Sequence, residues 1–325
     1  MTKDHRRELA VALTILVLFA FLAVSAPGYF SNANLIDLFL ANVPVLIVAL
    51  GMTLVILTGQ IDVSVGSMFA IASVAAGSFA KLGMPVAAAG LAACAVGAMV
   101  GAINGALVAY LRVPSIVVTL AAMLALRDGL RWFTQGAWVD NLPPGFQWMG
   151  LSISSYPVLM LVVAIFLIVV FAWVLRNVAA GRAVYAVGSN PEAARLSGIH
   201  PARVTFFVFA ILGLLTGIGA VLNSVRFNQI PSNTGLGLEM KVIAAVVIGG
   251  TAINGGKGTI LGTVLGVILM GAIGPALTFL HVSPYWEKAI QGAIILAALA
   301  IDVARARWEK RRLEMDGGVL ATSRA

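Results

Sequence analysis

The residues of this 325-residue chain that could do chemistry are few and far apart. Asp62 lies in Thr58-Gly59-Gln60-Ile61-Asp62-Val63-Ser64, between two long apolar runs. An ionisable group in such a place is costly and usually functional. It can act on a polar solute, or it can cap a helix that begins at Val63. Gln60 shares the segment. Asn104, Asn223 and Asn254 fall within or at the ends of other apolar runs. Their amides can hydrogen-bond a hydroxylated solute or join two helices. Glu239-Met240-Lys241 opens a further run; a first-turn Glu suits a helix start, and Lys241 can pair with it or reach outward.

Covalent chemistry finds no support. Gly255-Gly256-Lys257-Gly258-Thr259 imitates a phosphate loop, but Gly258 follows the lysine and Thr251 stands where the first glycine is needed. No nucleotide or cofactor site is visible, and no nucleophile, base and orienting group fall together. Cys94 is the single cysteine, so neither a disulfide nor a cysteine-based metal site can form. His5, His200 and His281 are widely separated.

The segment with most to say is Asn190-Pro191-Glu192-Ala193-Ala194-Arg195-Leu196-Ser197-Gly198-Ile199, a charged island between apolar runs. Asn190 is a good N-cap and Pro191 suits the first helical position. Glu192 complements the positive end of the helix dipole, and Gly198 supplies a left-handed stop. The expected product is a helix of about two turns, too short to stand alone. Neighbours must hold it, and it presents either a docking site for a soluble partner or an idle surface loop.

The elements that position these residues follow from composition. The chain is 60% hydrophobic and 10% charged, with a mean hydropathy of +1.00. Soluble domains carry about 25% charged residues, so an ordinary globular enzyme is excluded. Apolar runs of about 18 residues or more can each cross a bilayer. The expected fold is all-α, a polytopic membrane protein of about ten transmembrane or partly re-entrant helices. The spans fall near 8–27, 36–58, 62–81, 84–111, 114–133, 156–176, 203–223, 239–254, 259–280 and 286–304. Those at 114–133 and 239–254 are short or polar at one end and could be half-helices. Residues 1–304 form one membrane domain, with a loop at about 177–203 that carries the island. Residues 305–325 form a basic tail suited to a cytoplasmic membrane surface.

The net charge of +8 reflects loop chemistry and not nucleic-acid binding, because Lys and Arg collect in cytoplasmic loops. With the N-terminus inside and the spans alternating, the inner segments hold Lys3, Arg6 and Arg7, then Arg112, Arg176, Arg182, Arg195, Arg203 and Lys257, and all the basic residues from Arg305 onward; these are 15 of the 21. Both termini are therefore expected in the cytoplasm. The N-terminus resembles a secretory signal ending at Val24-Ser25-Ala26, but Pro27 disfavours cleavage and the later spans favour a retained helix. The loop Thr134–Ser155, with Trp138, Trp148, Pro143, Pro144 and Asp140, is expected outside, as an interfacial belt or a docking surface. Gly97, Gly101 and Gly105 share a helix face, as do Gly258, Gly262 and Gly266, and both read as close-packing faces. A short internal repeat aligns Ile61–Ser67 with Ile253–Thr259. Interrupted helices in corresponding places point to a transport pathway.

The island resembles the ATPase-coupling loop of permease subunits from ribose-type sugar ABC importers. Gly51-Met52-Thr53-Leu54-Val55 through Ile61–Ser67 is similar to that family too, as is Ile243–Thr251 through Gly255–Thr259. The resemblance runs from the first span to Asp302. Rhamnose and autoinducer-2 importer permeases look nearest, on Arg131–Trp138, Ile230–Lys241 and Pro284–Lys288. Ribose-type members usually carry Gly where Gln60 stands, which points away from ribose.

The resemblance implies a non-enzymatic subunit of the bacterial inner membrane. Its expected partners are a cytoplasmic ATPase, a periplasmic sugar-binding protein, a second permease, identical or related, and membrane lipid. It implies an ATPase-coupling role for Pro191, Glu192, Ala193, Ala194, Arg195, Ser197 and Gly198. Gln60, Asp62, Asn104, Asn223 and Asn254 are the candidates for the solute pathway. L-rhamnose is the expected solute; autoinducer-2, ribose or another small solute are the alternatives. An ion-coupled secondary transporter is a rival mechanism.

Overall fold

The computed structural model describes residues 3–297. The chain is helical almost throughout, and the described residues hold one isolated β-bridge, Val139 to Ile230. In order, the helices are α1 (Lys3–Ser25), α2 (Asn32–Leu57), α3 (Val65–Lys81), α4 (Val86–Ala109), α5 (Ser115–Thr134), α6 (Tyr156–Asn177), α7 (Ala179–Ser189), α8 (Pro191–Leu196), α9 (Pro201–Ser224), α10 (Leu238–Ile248) and α11 (Ile260–Phe279). A 3-10 turn at Gln147–Gly150 precedes α6, and residues 286–297 are helical as well.

Each of the ten expected spans contains a helix, although the bounds move by a few residues. Among the described residues, six helices are long and apolar enough to cross a bilayer: α2, α4, α6, α9, α11 and Glu8–Ser25 of α1. α3 has 17 residues. α5 is a continuous 20-residue helix that carries Arg127, Asp128 and Arg131. α10 has only 11 residues. It rises about 16 Å, half the hydrocarbon thickness of about 30 Å. The expected span 286–304 and the tail 305–325 extend beyond the described residues.

α2 is the core. From Val43 to Leu57 every residue is buried, as an all-round apolar sequence requires. It packs against α6, α9, α10 and α11, and a hydrogen bond of 2.7 Å between Thr53 Oγ1 and Thr263 Oγ1 ties it to α11. The glycine faces do the packing expected of them. A Cβ on Gly97 would stand 2.5 Å from the Gly213 carbonyl oxygen, and one on Gly101 would stand 2.9 Å from Gly213 Cα. α4 and α9 therefore meet backbone to backbone. Gly262 and Gly266 press α11 onto Gly249 and Ala245 at α10. Gly258 departs from that expectation: it precedes α11, has φ +157, and sits against the Thr251 side chain.

The segment before α10 enters the bundle. Ile230 packs at Gly77 of α3, whereas Gly235 and Glu239 pack at Gly66, eleven residues nearer the start of α3. The chain therefore runs about 16 Å along α3 before α10 begins. Irregular backbone at this depth is tolerated where protein surrounds it. Arg127 Nη1 meets part of the need, donating to the Thr234 carbonyl at 3.1 Å.

The helices alternate, so the loops gather at two ends. At one end are the turns 58–64, 110–114 and 249–259 and the island; Ile61 N donates to Ser115 Oγ at 3.3 Å, and Tyr185 OH to the Gly258 carbonyl at 2.8 Å. The opposite end gathers 135–155 and 225–232, joined by the Val139–Ile230 bridge and by Trp148 N donating to the Val225 carbonyl at 2.6 Å. Lys81 and Asp140 pair there at 3.3 Å. Trp148 is half-buried and lies edge-on to Tyr156, while Trp138 is exposed.

Candidate functional site

The island forms the expected helix, α8. Asn190 Oδ1 accepts from the backbone N–H groups of Glu192 and Ala193, both at 3.0 Å. Pro191 occupies the first turn. At the far end Ser197 Oγ donates to the Ala193 carbonyl at 3.0 Å, and Ile199 N donates to the Ala194 carbonyl at 3.0 Å. Gly198 makes the turn possible with φ +82. Glu192 Oε1 and Arg195 Nη2 pair at 2.6 Å, yet each side chain is about two-thirds exposed, 66% and 67%. Such an exposed pair contributes about 0–1 kcal/mol, so both groups stay available to a partner. Ala194 is buried and fastens the helix down. Leu196, by contrast, is 80% exposed.

The sequence reading placed one short helix between residues 177 and 203. Two are present, because Ala179–Ser189 also folds, as α7, with Gly181, Val184 and Val187 on its buried side. α7 carries α8 directly, through the extended Asn190. Its last turn meets the two interrupted helix pairs. Gly188 lies so close to the Leu57 carbonyl that a Cβ would overlap that oxygen and stand 2.6 Å from Gly256 N. Gly256 N itself donates to the Leu57 carbonyl at 2.9 Å. A Cβ on Gly255, φ +84, would stand 2.8 Å from Gly59 N and 2.9 Å from the Gly188 carbonyl. The end of α2, the turn between α10 and α11, and the end of α7 thus form one backbone junction. The second segment of the internal repeat meets the end of α2 here, with Gly59, two residues ahead of the first segment, facing the Asn254 carbonyl.

The five pathway candidates are not gathered in one place. Asp62 and Asn104 are together. Asp62 is fully buried, and its Oδ1 accepts from Ser64 N at 2.7 Å and Ser64 Oγ at 2.6 Å. Asn104 Nδ2 donates to Ser64 Oγ at 2.9 Å and approaches Asp62 Oδ2 at 3.5 Å. Asp62 does not cap a helix at Val63: α3 begins two residues later, and the carboxylate fixes the turn ahead of it. Gln60 is half-buried in the same turn, and Asn254 is exposed beside the junction. Asn223 lies at the opposite end, in a cavity of about 260 Å³ with Trp138, Phe227 and Gln229. Glu239 is buried in the first turn of α10 against Gly66, a tertiary contact that the local sequence does not encode.

Sequence reasoning missed Gly188 and the Leu57 carbonyl, because neither carries a distinctive side chain. It also passed over Leu196, whose signal was available: a lone large apolar residue in an otherwise small and charged helix. Among the described residues, no group of three or more His, Cys, Asp or Glu is placed to hold a metal.

Residues 34–299 match the family described as branched-chain amino acid transport system / permease component. The chain is 37% identical over 301 residues to the autoinducer 2 import system permease protein LsrC of Yersinia pseudotuberculosis serotype O:1b, strain IP 31758, covering 92% of this chain and 85% of that one. It is 36% identical over 298 residues to LsrC of Enterobacter sp. strain 638, covering 91% and 86%. No solved structure matches it. A helical bundle with several membrane-length helices, a solvent-exposed capped helix and this extent of similarity agree: the chain belongs to the branched-chain amino acid transport system / permease component family, among its ribose-type ABC importer permeases.

Proposed function

We propose that this chain is the membrane-spanning subunit of an ATP-driven importer and that α8 receives the push of a cytoplasmic ATPase. The observation that carries the reading is the mounting of α8. It is capped at both ends, exposed at Glu192, Arg195 and Leu196, and continuous through Gly188 with the junction of the interrupted helices. Movement of α8 is transmitted to the ends of α2 and α10 without a flexible link. The spans tilt, and the pathway switches between outward and inward access. On this reading the island end faces the cytoplasm of a bacterial inner membrane, with both termini inside. A second permease completes the pathway, and a periplasmic binding protein delivers the solute and supplies most of the affinity.

The solute is of the sugar class. Similarity to LsrC favours autoinducer-2 over L-rhamnose, the first expectation from sequence. Uptake of labelled autoinducer-2, L-rhamnose and ribose, in cells with and without this gene, tests the assignment. Loss of autoinducer-2 uptake alone, restored by the gene, is the expected result. Loss of rhamnose uptake alone would reverse the choice. Ion coupling is disfavoured because the Asp62 carboxylate is occupied by Ser64 and Asn104. Uptake that collapses with a protonophore while cellular ATP stays high would overturn the ATP-driven reading.

A further inference from the structure

A cavity of about 390 Å³ lies between α2, α6, α7 and α9, lined by Leu54, Phe171, Val184, Phe207 and Ile211 among other apolar residues. Arg203 is the single charged residue in its lining. Arg203 stands in the first turn of α9, so the apolar wall runs from there to Ile211, eight residues or about 12 Å deeper. Phe207 is 59% exposed, so the cavity opens sideways, toward the hydrocarbon layer. Arg176 and Arg182 fall on the faces of α6 and α7 turned away from the lining residues, and Arg182 Nη1 donates to the Asn177 carbonyl at 3.1 Å. Arg203 is exposed. Between Asp140 and Glu239 the sequence holds one acidic residue, Glu192, and it is already paired with Arg195.

An apolar slot with one arginine at its mouth, at the end of two spans, matches a molecule that is apolar along its length and anionic at its head. Basic pockets between transmembrane helices bind anionic headgroups in this way. We propose that this cavity is a specific site for an anionic phospholipid. One acyl chain lies between α6, α7 and α9, and the phosphate rests on Arg203. α7 forms one wall and carries α8, so the lipid braces the arm that holds the coupling helix.

The test is native mass spectrometry of the full-length protein in detergent. Phosphatidylglycerol and phosphatidylcholine of identical chains are supplied at equal concentration. Wild type should retain phosphatidylglycerol preferentially. Arg203→Gln should reduce that preference about fivefold, the loss of one basic contact near a headgroup. Ala183→Leu fills the slot and leaves every arginine in place; it should lower retention of both lipids while the oligomeric state stays the same. Equal retention of the two lipids by wild type would mean ordinary bulk lipid and overturn the site. A dimer that forms only as retained lipid is lost would assign the slot to a second copy, and this too would overturn it. If Arg203→Gln fails to fold, the wild-type comparison and Ala183→Leu still decide.

Discussion

Replacing Gly188 by alanine tests the junction directly. The added methyl would overlap the Leu57 carbonyl oxygen, stand 2.6 Å from Gly256 N and lie 2.9 Å from the Leu57 carbonyl carbon. All three are backbone atoms, so no side chain can swing aside. Overpacking of this kind typically costs about 1–3 kcal/mol. If the strands of the junction part instead, the 2.9 Å bond from Gly256 N to the Leu57 carbonyl breaks, leaving buried polar groups unpaired at about 1–3 kcal/mol more. Relief by displacement of α7 carries α8 away from its mounted position. The expected result is a lower thermal midpoint in detergent, together with a loss of solute-stimulated ATP hydrolysis in the reconstituted importer. Gly129→Ala is the control, because its methyl meets nothing within 4 Å and alanine is the better helix former by about 1 kcal/mol. The reasoning fails if Gly188→Ala matches Gly129→Ala in both melting and coupling.

Four further outcomes follow from the same geometry. Glu192→Lys should lower solute-stimulated ATP hydrolysis while membrane insertion is spared, and adding Arg195→Glu to restore the internal pair should not restore coupling; recovery in the double variant would reduce the pair to a local contact. Leu196→Asp should weaken co-purification of the ATPase subunit without moving the melting midpoint, since the side chain is 80% exposed. Asn104→Ala withdraws the amide from Ser64 and Asp62 and should cost about 1–3 kcal/mol in a reversible unfolding titration; an unchanged transition would show that the cluster bears no load. Gly101→Ala sets a methyl 2.9 Å from Gly213 Cα and should lower thermal stability by forcing α4 from α9.

The sequence by itself determined what local chemistry and average polarity can determine. Apolar runs of about 18 residues or more satisfy their backbone in lipid as helices, and each run contains one among the described residues. The ends of α8 were legible residue by residue, because Asn190, Pro191 and Gly198 act on atoms within four positions of themselves. The glycine face at 97, 101 and 105 announced a close contact, though not that α9 would make it.

Only the tertiary structure decided which distant backbones touch. Gly188, Leu57 and Gly256 are separated by more than sixty residues each, and their contact is made by main-chain atoms that every residue possesses, so no side-chain type marks it. The same holds for the depth of α10. The sequence marked 239–254 as a short span, where the helix is the 11 residues Leu238–Ile248, but its start against Gly66 follows from a segment that runs along α3, a path set by packing and not by local propensity. Asp62 shows the division most sharply. Its sequence left it equally a helix cap or a group on the solute path, and only the structure shows the carboxylate held to Ser64 with Asn104, from another helix, beside it. Periodicity and caps act over a few residues, whereas the junction that carries the proposed coupling exists only once the bundle has closed.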